Sequence, residues 1–305
     1  MFDIAIIGAG PAGLTAGIYA RRAGKTAVIF ESTGIGGQIA QAGHVENYPA
    51  ISSISGIDLS NAMYEQAEAL GCEFVFDNVK SVERQEEAFK IVADYEMAEA
   101  KTVILATGAR CRHLDIPGEE ELIGKGVSYC AVCDGAFYKN KDVIVIGGGN
   151  SALEDALYLS NYCNKVTVVH RRDVFRADLA EVEKIKAKQN IETVMNARPT
   201  AINSKAENGH ALFSSVTLSH SDGTTADLSA DGVFIAVGRI PQNTAFAGLV
   251  ELDSEGYIVA DENCRTSAKG VFVAGDCRKK GIRQLTTAVA DGTVAALAAI
   301  ALIDA

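Results

Sequence analysis

The 305-residue chain carries no surplus of positive charge: 28 Lys and Arg stand against 39 Asp and Glu, a formal net charge of −11. A nucleic acid or an anionic membrane is met through a basic face, so neither is expected as a partner. Also missing is any run of about eighteen consecutive apolar residues, the length a membrane-spanning helix needs. The apolar beginning, Phe2 to Ala20, is broken by glycines and lacks a basic flank, which excludes a secretion signal. The expectation is a cytoplasmic protein. Cysteine is unevenly placed: of seven, only Cys130 and Cys133 are close together, and no second CxxC or HxxxH stands where it would complete a zinc site. No metal is expected. The isolated thiols, Cys72, Cys111, Cys163, Cys264 and Cys277, read as buried small hydrophobes.

What is present is apolar enough, at 48% hydrophobic and 22% charged, to build two cores, and the length suits two domains. An internal repeat organises them. Residues 3–13 and 142–152 each give a β-branched run, a glycine-rich turn and the start of a helical segment (Leu14–Ala23 and Leu153–Asn161). A second apolar strand follows each helix, Thr26–Phe30 and Lys165–Val169. Two βαβ units imply two doubly wound, Rossmann-like α/β domains. Residues 73–106 and 212–236 alternate apolar and polar positions and read as small antiparallel meanders leading back into each main sheet. A strand at Gly270–Gly275 and an Ala-rich helix from Gln284 to Ile303 would complete the first domain. The second domain is then an insertion: residues 1–112 and 243–305 form one domain, and 113–242 the other.

Gly8, Gly10 and Gly13 lie between a strand and a helix, the context that gives GxGxxG meaning. Gly8 permits the tight turn, Gly10 lets a pyrophosphate approach the backbone, and Gly13 lets the helix close on the strand. Pro11 and Ala12 open the helix whose N-terminus would hold the anion. Glu31, eighteen residues past Gly13, can accept the two hydroxyls of an adenosine ribose; a solvated strand-end charge is the alternative. The second unit carries Gly147, Gly149, Asn150 and Ser151 in the corresponding turn, but eighteen residues past Ala152 stands His170, followed by Arg171, Arg172 and Arg176. An acid there would repel a 2′-phosphate, whereas guanidinium groups pair with it at roughly 1.5–3 kcal/mol per contact. NADPH is therefore expected at the second site and FAD or NAD at the first. Gly275-Asp276 favours FAD, because an Asp between a buried strand and the closing helix can bind a ribityl chain. Arg283, Gln284 and Leu285, at that helix's N-terminus, would then face the flavin's pyrimidine end. Asp276 capping a turn remains the competing reading.

Cys130-Ala131-Val132-Cys133-Asp134 precedes the second unit. Thiols at this spacing close a small ring, a helix start lowers the pKa of the attacking thiol, and Asp134 can pass protons during exchange.

With these motifs in order, the chain resembles the low-molecular-weight thioredoxin reductases of bacteria over essentially its whole length. The resemblance is carried by Gly8–Gly13, Gly36-Gly37-Gln38, Glu46-Asn47-Tyr48-Pro49, Ala106-Thr107-Gly108-Ala109, Cys130–Gly135, Gly147–Ala152, His170-Arg171-Arg172 with Phe175-Arg176, and Ala274-Gly275-Asp276 with Arg283-Gln284. It implies that Gly36, Gly37, Gln38, Asn47, Thr107 and Gly108 contact FAD and that Val79 lies near the adenine, a core role for Val79 being equally open. It implies further that the flavin reduces Cys133, that Cys130 attacks thioredoxin, the protein substrate, and that the enzyme is a homodimer. Val132 departs from the family, where many members carry Thr. The larger glutathione-reductase relatives use a C-terminal His, and none follows His220 here. A flavin-binding sensor without catalysis would not need the CxxC-Asp, and ferredoxin–NADP reductases ordinarily lack it.

Overall fold

The computed structural model describes residues 1–207 and 209–305. Strand β1 (Phe2–Ile7) leads into helix α1 (Pro11–Arg22), β2 (Ala27–Phe30), α2 (Gly56–Ala69) and β3 (Glu73–Val75). An antiparallel run follows, β4 (Val79–Arg84), β5 (Phe89–Ala93) and β6 (Met97–Leu105), and then a short β7 (Ala109–Cys111). The middle of the chain holds β8 (Val127–Ser128), α3 (Ala131–Asp134), β9 (Asp142–Ile146), α4 (Asn150–Leu159), β10 (Lys165–Val169), α5 (Leu179–Ala187) and β11 (Ile191–Val194). It continues through β12 (Ala197–Glu207), β13 (His210–His220), β14 (Thr225–Ser229) and β15 (Gly232–Ile235) to β16 (Arg239–Pro241). Strand β17 (Val271–Val273) and helix α6 (Leu285–Ile303) end it.

The chain forms two units, Met1–Arg110 with Ile240–Ala305, and Cys111–Arg239. The crossings β7 and β16 pair with each other as a two-stranded ribbon. In the first unit the sheet order is β3-β2-β1-β6, with β17 parallel to the C-terminal half of β6 and the β4–β5 hairpin antiparallel to its N-terminal half. Ile4–Ile7 of β1 and all of β2 are continuous apolar runs because both sheet faces are covered. Ile4 and Ile6 face α1 and α6, whereas Ala5 and Ile7 face a second core with Val79, Phe89 and Ile91. The second unit repeats the plan: β11-β10-β9-β15-β8 is all parallel, Val143 and Val145 meet α4 and α5, and Ile144 and Ile146 meet a three-stranded antiparallel layer. Both units are doubly wound α/β folds with the order of strands reversing beside the strand that leads into each glycine turn, β1 or β9. In such sheets ligands bind outside the carboxyl ends of the strands at that reversal.

Three details differ from the sequence-based expectation. Strand β3 belongs to the parallel sheet, so the first meander begins at Val79 rather than at residue 73. The second meander begins at Ala197, ahead of residue 212, because β12 belongs to it. Register shifts at Pro199/Ala201 and Asn203/Ser204 break the two-residue alternation in β12 and hide it from the pattern. Helix α6, finally, is long and apolar enough in composition to cross a membrane. Its Gly292 lies against α1, where a Cβ would stand 2.2 Å from the Ala12 carbonyl, and its Asp291 pairs with Lys280 at 2.8 Å.

Candidate functional site

The two glycine turns are superposable in their chemistry. A Cβ on Gly8 would stand 2.4 Å from the Ala106 carbonyl oxygen, and one on Gly147 would stand 2.5 Å from that of Ala236. Each turn is thus wedged between the ends of neighbouring strands, where no side chain fits. Gly13 is closed in as tightly, 1.9 Å from the Gly8 carbonyl. Gly10 and Gly149 behave oppositely. Both have ordinary extended backbones (φ −75°, ψ 178° and φ −101°, ψ 179°), and a Cβ on either meets no atom within 4 Å. Neither packing nor conformation calls for glycine there, which leaves the approach of a ligand as its physical reason. Helices α1 and α4 begin at these residues without a side-chain cap, while α2 is capped by Ser55 and α6 by Gln284. Pro11 has no N–H, so α1 leaves the Ala12 and Gly13 N–H groups for an anion, and α4 leaves those of Asn150 and Ser151. Both turns therefore fit a dinucleotide pyrophosphate.

Around the first turn the chain gathers several of the residues singled out from sequence. Glu31 is 9% exposed, so it is not a solvated charge; its Oε2 accepts from the Ala9 N–H at 2.8 Å and its Oε1 from the Thr33 N–H at 2.8 Å. Gly36 and Gly37 take left-handed φ values of 92° and 54°, and the Gly36 N–H donates to the Ala9 carbonyl at 2.9 Å. Gln38 donates to the Ala109 carbonyl. Asn47 donates to Gln284 at 3.4 Å, which brings the 36–47 loop to the start of α6. Gly275 (φ 83°) accommodates Ala12, whose Cβ would be 2.9 Å from its own. Asp276 lies 3.8 Å from Lys280, and Arg283 donates to the Asp276 carbonyl at 3.3 Å while stacking on Tyr257 at 4.0 Å. Asp276 does not cap α6; the Gln284–Thr287 capping box does. Gly108 is left-handed (φ 69°) and next to it Thr107 donates to Asn243 at 2.9 Å. Val79 is buried in the second core. Two residues that sequence reasoning missed hold this region together. Asn243, 1% exposed, donates to the carbonyls of Gly256 and Cys277, and Asp291 accepts from the Gly275 N–H at 3.1 Å and from Lys280. Neither carries a motif signal, since isolated Asn and Asp are common.

The second turn is stitched to the arginine loop. The Arg176 N–H donates to the Gly148 carbonyl at 2.7 Å, and Asn150 exchanges two hydrogen bonds with Asp178. Ser151 follows on the exposed first turn of α4. Arg171, Arg172 and Arg176 are exposed, and among the described residues none of the three has a carboxylate partner. His170 fills the place that Glu31 has in the first unit. Its ring is 5% exposed, stacks on Phe175, and occupies the space of the missing Gly148 Cβ, whose ideal position is 2.1 Å from Nδ1. Burial, joined by the neighbouring arginines, holds its pKa below the usual value and keeps it neutral.

Cys130 and Cys133 are joined as a disulfide, Cα to Cα 5.3 Å. Cys130 is the N-cap of the short helix α3, and the Cys133 N–H donates to its sulfur at 3.2 Å, a contact that stabilises negative charge on Cys130 once the bond opens. Cys133 and Val132 are exposed, and Cys130 is half-buried. Asp134 is half-buried and accepts from Ser128 Oγ at 2.6 Å; burial raises its pKa, and the Ser128 hydroxyl opposes the rise. A carboxyl shifted upward beside a disulfide suits proton transfer to a departing thiolate. Of the isolated thiols, Cys72, Cys163, Cys264 and Cys277 are buried, and Cys111 is half-exposed on β7.

Comparison with known proteins points the same way. The family described as pyridine nucleotide-disulphide oxidoreductase matches residues 2–292. A thioredoxin reductase of Listeria monocytogenes is 44% identical over 297 residues, 97% of this chain and 92% of that protein. One of Bacillus subtilis is 41% identical over 300 residues, 97% of this chain and 93% of its own length. The crystal structure of the Streptococcus pyogenes thioredoxin reductase superposes with a TM-score of 0.94 at 40% identity, covering 100% of this chain and 98% of the other.

Proposed function

Because this chain belongs to the pyridine nucleotide-disulphide oxidoreductase family, we propose that it is an NADPH-dependent thioredoxin-disulfide reductase working through FAD and the Cys130–Cys133 pair. The observation that carries the reading is the redox turn itself, a CxxC disulfide with Cys133 exposed and an upward-shifted carboxyl one residue on, in a unit whose glycine turn is bonded to Arg176 of a loop that also carries Arg171 and Arg172. The residues around Gly8–Gly13, Glu31, Gly36–Gln38, Asn47, Thr107–Gly108 and Gly275–Leu285 would hold FAD. Those around Gly147–Ser151, with Arg171, Arg172 and Arg176, would hold NADPH. FAD, when bound, supplies a two-electron carrier between the hydride of NADPH and the disulfide.

The chain's own residues do the rest. With the disulfide opened by two electrons, Cys130 is left as the thiolate and Cys133 as the thiol, and Asp134 delivers a proton to the partner sulfur that leaves when Cys130 attacks. The Cys130 thiolate, steadied by the Cys133 N–H, attacks one sulfur of the partner's disulfide and forms a mixed disulfide. Cys133 then attacks the Cys130 sulfur, which releases the partner as a dithiol and restores the Cys130–Cys133 bond. Thioredoxin, with a potential of about −270 mV, is the protein substrate this proposal names. The CxxC belongs to the unit Cys111–Arg239, whereas the first glycine turn belongs to the other. One disulfide must meet the flavin and then a protein, so we propose successive orientations of the inserted unit about its two crossings. A cytoplasmic homodimer completes the proposal, as the family resemblance implies.

The test is optical. NADPH, and far less NADH, should bleach the yellow oxidised flavin, and oxidised thioredoxin should restore the colour with one dithiol formed per NADPH consumed. Bleaching without thioredoxin-dependent recovery would sink the reading in favour of a flavoprotein with another acceptor.

A further inference from the structure

The proton chemistry assigned to Asp134 depends on what holds its carboxyl, and in this fold that is one hydroxyl. Ser128 ends β8, where Phe234 of β15 is its register partner, so its backbone is fixed by the parallel sheet. The residue is 5% exposed. Ser128 Oγ lies 2.6 Å from Asp134 Oδ2, accepts the Cys130 N–H at 3.1 Å, and has the Cys130 carbonyl oxygen at 3.4 Å.

A hydroxyl has one proton to give and two lone pairs to accept with. When Asp134 is ionised, the Ser128 O–H donates to Oδ2 while Oγ receives the Cys130 N–H. When Asp134 is protonated on Oδ2, that O–H donates to Ser128 Oγ, and the serine proton turns to the Cys130 carbonyl. Only the hydroxyl rotor changes; no heavy atom has to move. We infer that Ser128 is a positioning residue of the redox centre, keeping the Asp134 carboxyl hydrogen-bonded in both protonation states and tying it to the main chain of Cys130. The inference rests on the proposed role of Asp134. It also explains why a buried serine stands two residues before the first cysteine, where any small apolar residue would fill the strand end.

Other groups of this unit titrate and must be separated from Asp134. Tyr138, on the turn after α3, is pushed up to about 12, mainly by burial, with Asp134 and Asp231 adding to the rise. The Tyr162 hydroxyl lies against Gly135, where a Cβ would be 2.5 Å away. Asp155 on α4 is raised to about 7, chiefly by burial, with Arg239 opposing and Glu154 assisting.

A residue-specific readout is therefore needed. The holoenzyme labelled with carboxyl-13C aspartate is titrated by NMR, with the Asp134 resonance assigned by its loss in Asp134→Asn and that of Asp155 by its loss in Asp155→Asn. In Ser128→Ala the ionised carboxylate loses its donor, and the Asp134 midpoint should rise by about one to two pH units. Ser128→Thr, which retains the hydroxyl, should return the midpoint to within a few tenths of wild type, and Asp155 should stay unmoved in both. The same shift should appear in the pH profile of thioredoxin reduction by the prereduced enzyme. An Asp134 midpoint unchanged in Ser128→Ala overturns the inference, as does a shift that Ser128→Thr fails to reverse. A normal profile for Asp134→Asn would instead remove the acid role of Asp134, while the NMR titration still reports on Ser128.

Discussion

Replacing Gly10 with alanine separates a glycine kept for the fold from a glycine kept for a ligand. Gly10 has φ −75° and ψ 178°, which alanine adopts freely, and its Cβ would meet nothing within 4 Å. The substitution narrows the unfolded ensemble, a gain of about 0.4–1 kcal/mol, which offsets what alanine loses as the N-cap of α1. The flavin-free Gly10→Ala protein should therefore melt within ~3 °C of the wild-type temperature. Its FAD affinity should behave differently. A methyl group where a pyrophosphate approaches the backbone forfeits at least one N–H bond to a charged oxygen, about 1.5–3 kcal/mol. That corresponds to a loss of roughly 10- to 150-fold in affinity. Gly13→Ala is the contrasting change, because its Cβ would stand 1.9 Å from the Gly8 carbonyl and force α1 off β1. Its flavin-free form should lose about 1–3 kcal/mol as an overpacked contact. Circular-dichroism melts of the deflavinated proteins, with and without FAD, and a flavin-fluorescence titration measure both quantities. Wild-type FAD affinity in Gly10→Ala would refute the assignment of this turn to the pyrophosphate. An apoprotein destabilised as much as Gly13→Ala would refute the claim that the position is open.

Three further outcomes follow from the second unit. Arg171→Ala/Arg172→Ala should weaken NADPH binding about a hundredfold or more and leave NADH nearly unchanged, as read by isothermal titration, since among the described residues these guanidinium groups have no carboxylate to satisfy first. Gly148→Ala should cost about 1–3 kcal/mol in urea unfolding by pushing the His170 ring from the turn, and the cost should vanish in a His170→Ala background. Asp155 binds its proton more tightly in the folded chain, about 7 against 3.8, so it adds stability at low pH that is lost as pH rises from about 4 to about 7. Asp155→Asn should remove this loss and be more stable than wild type above pH 7, on the order of 4 kcal/mol by denaturant titration. An unchanged pH dependence of stability would count against it.

Much of this site was legible because the two βαβ units obey the same arithmetic. Counting eighteen residues past the third glycine position lands on Glu31 in one unit and His170 in the other, and the fold places both at the mouth of a glycine turn. The CxxC-Asp was legible because spacing alone nearly dictates how those three residues meet. The bulges of β12 were not, since they erase the alternation that marks a strand. Ser128, Asn243 and Asp291 were also invisible. Their importance lies in partners up to 136 residues away, and nothing in the sequence beside them distinguishes such residues from ordinary polar ones. The meaning of Gly148 likewise emerges only in three dimensions, from the ring packed where its Cβ would be.

The central claim is that electrons pass to a protein disulfide through Cys130 and Cys133. NADPH oxidation by the FAD-loaded Cys130→Ser and Cys133→Ser single variants, each with and without oxidised thioredoxin, tests it most directly. Both variants should still bleach with NADPH yet lose thioredoxin-dependent turnover by at least about a thousandfold, as expected when a covalent nucleophile is removed. Turnover with thioredoxin at near wild-type rate in either variant would contradict the account.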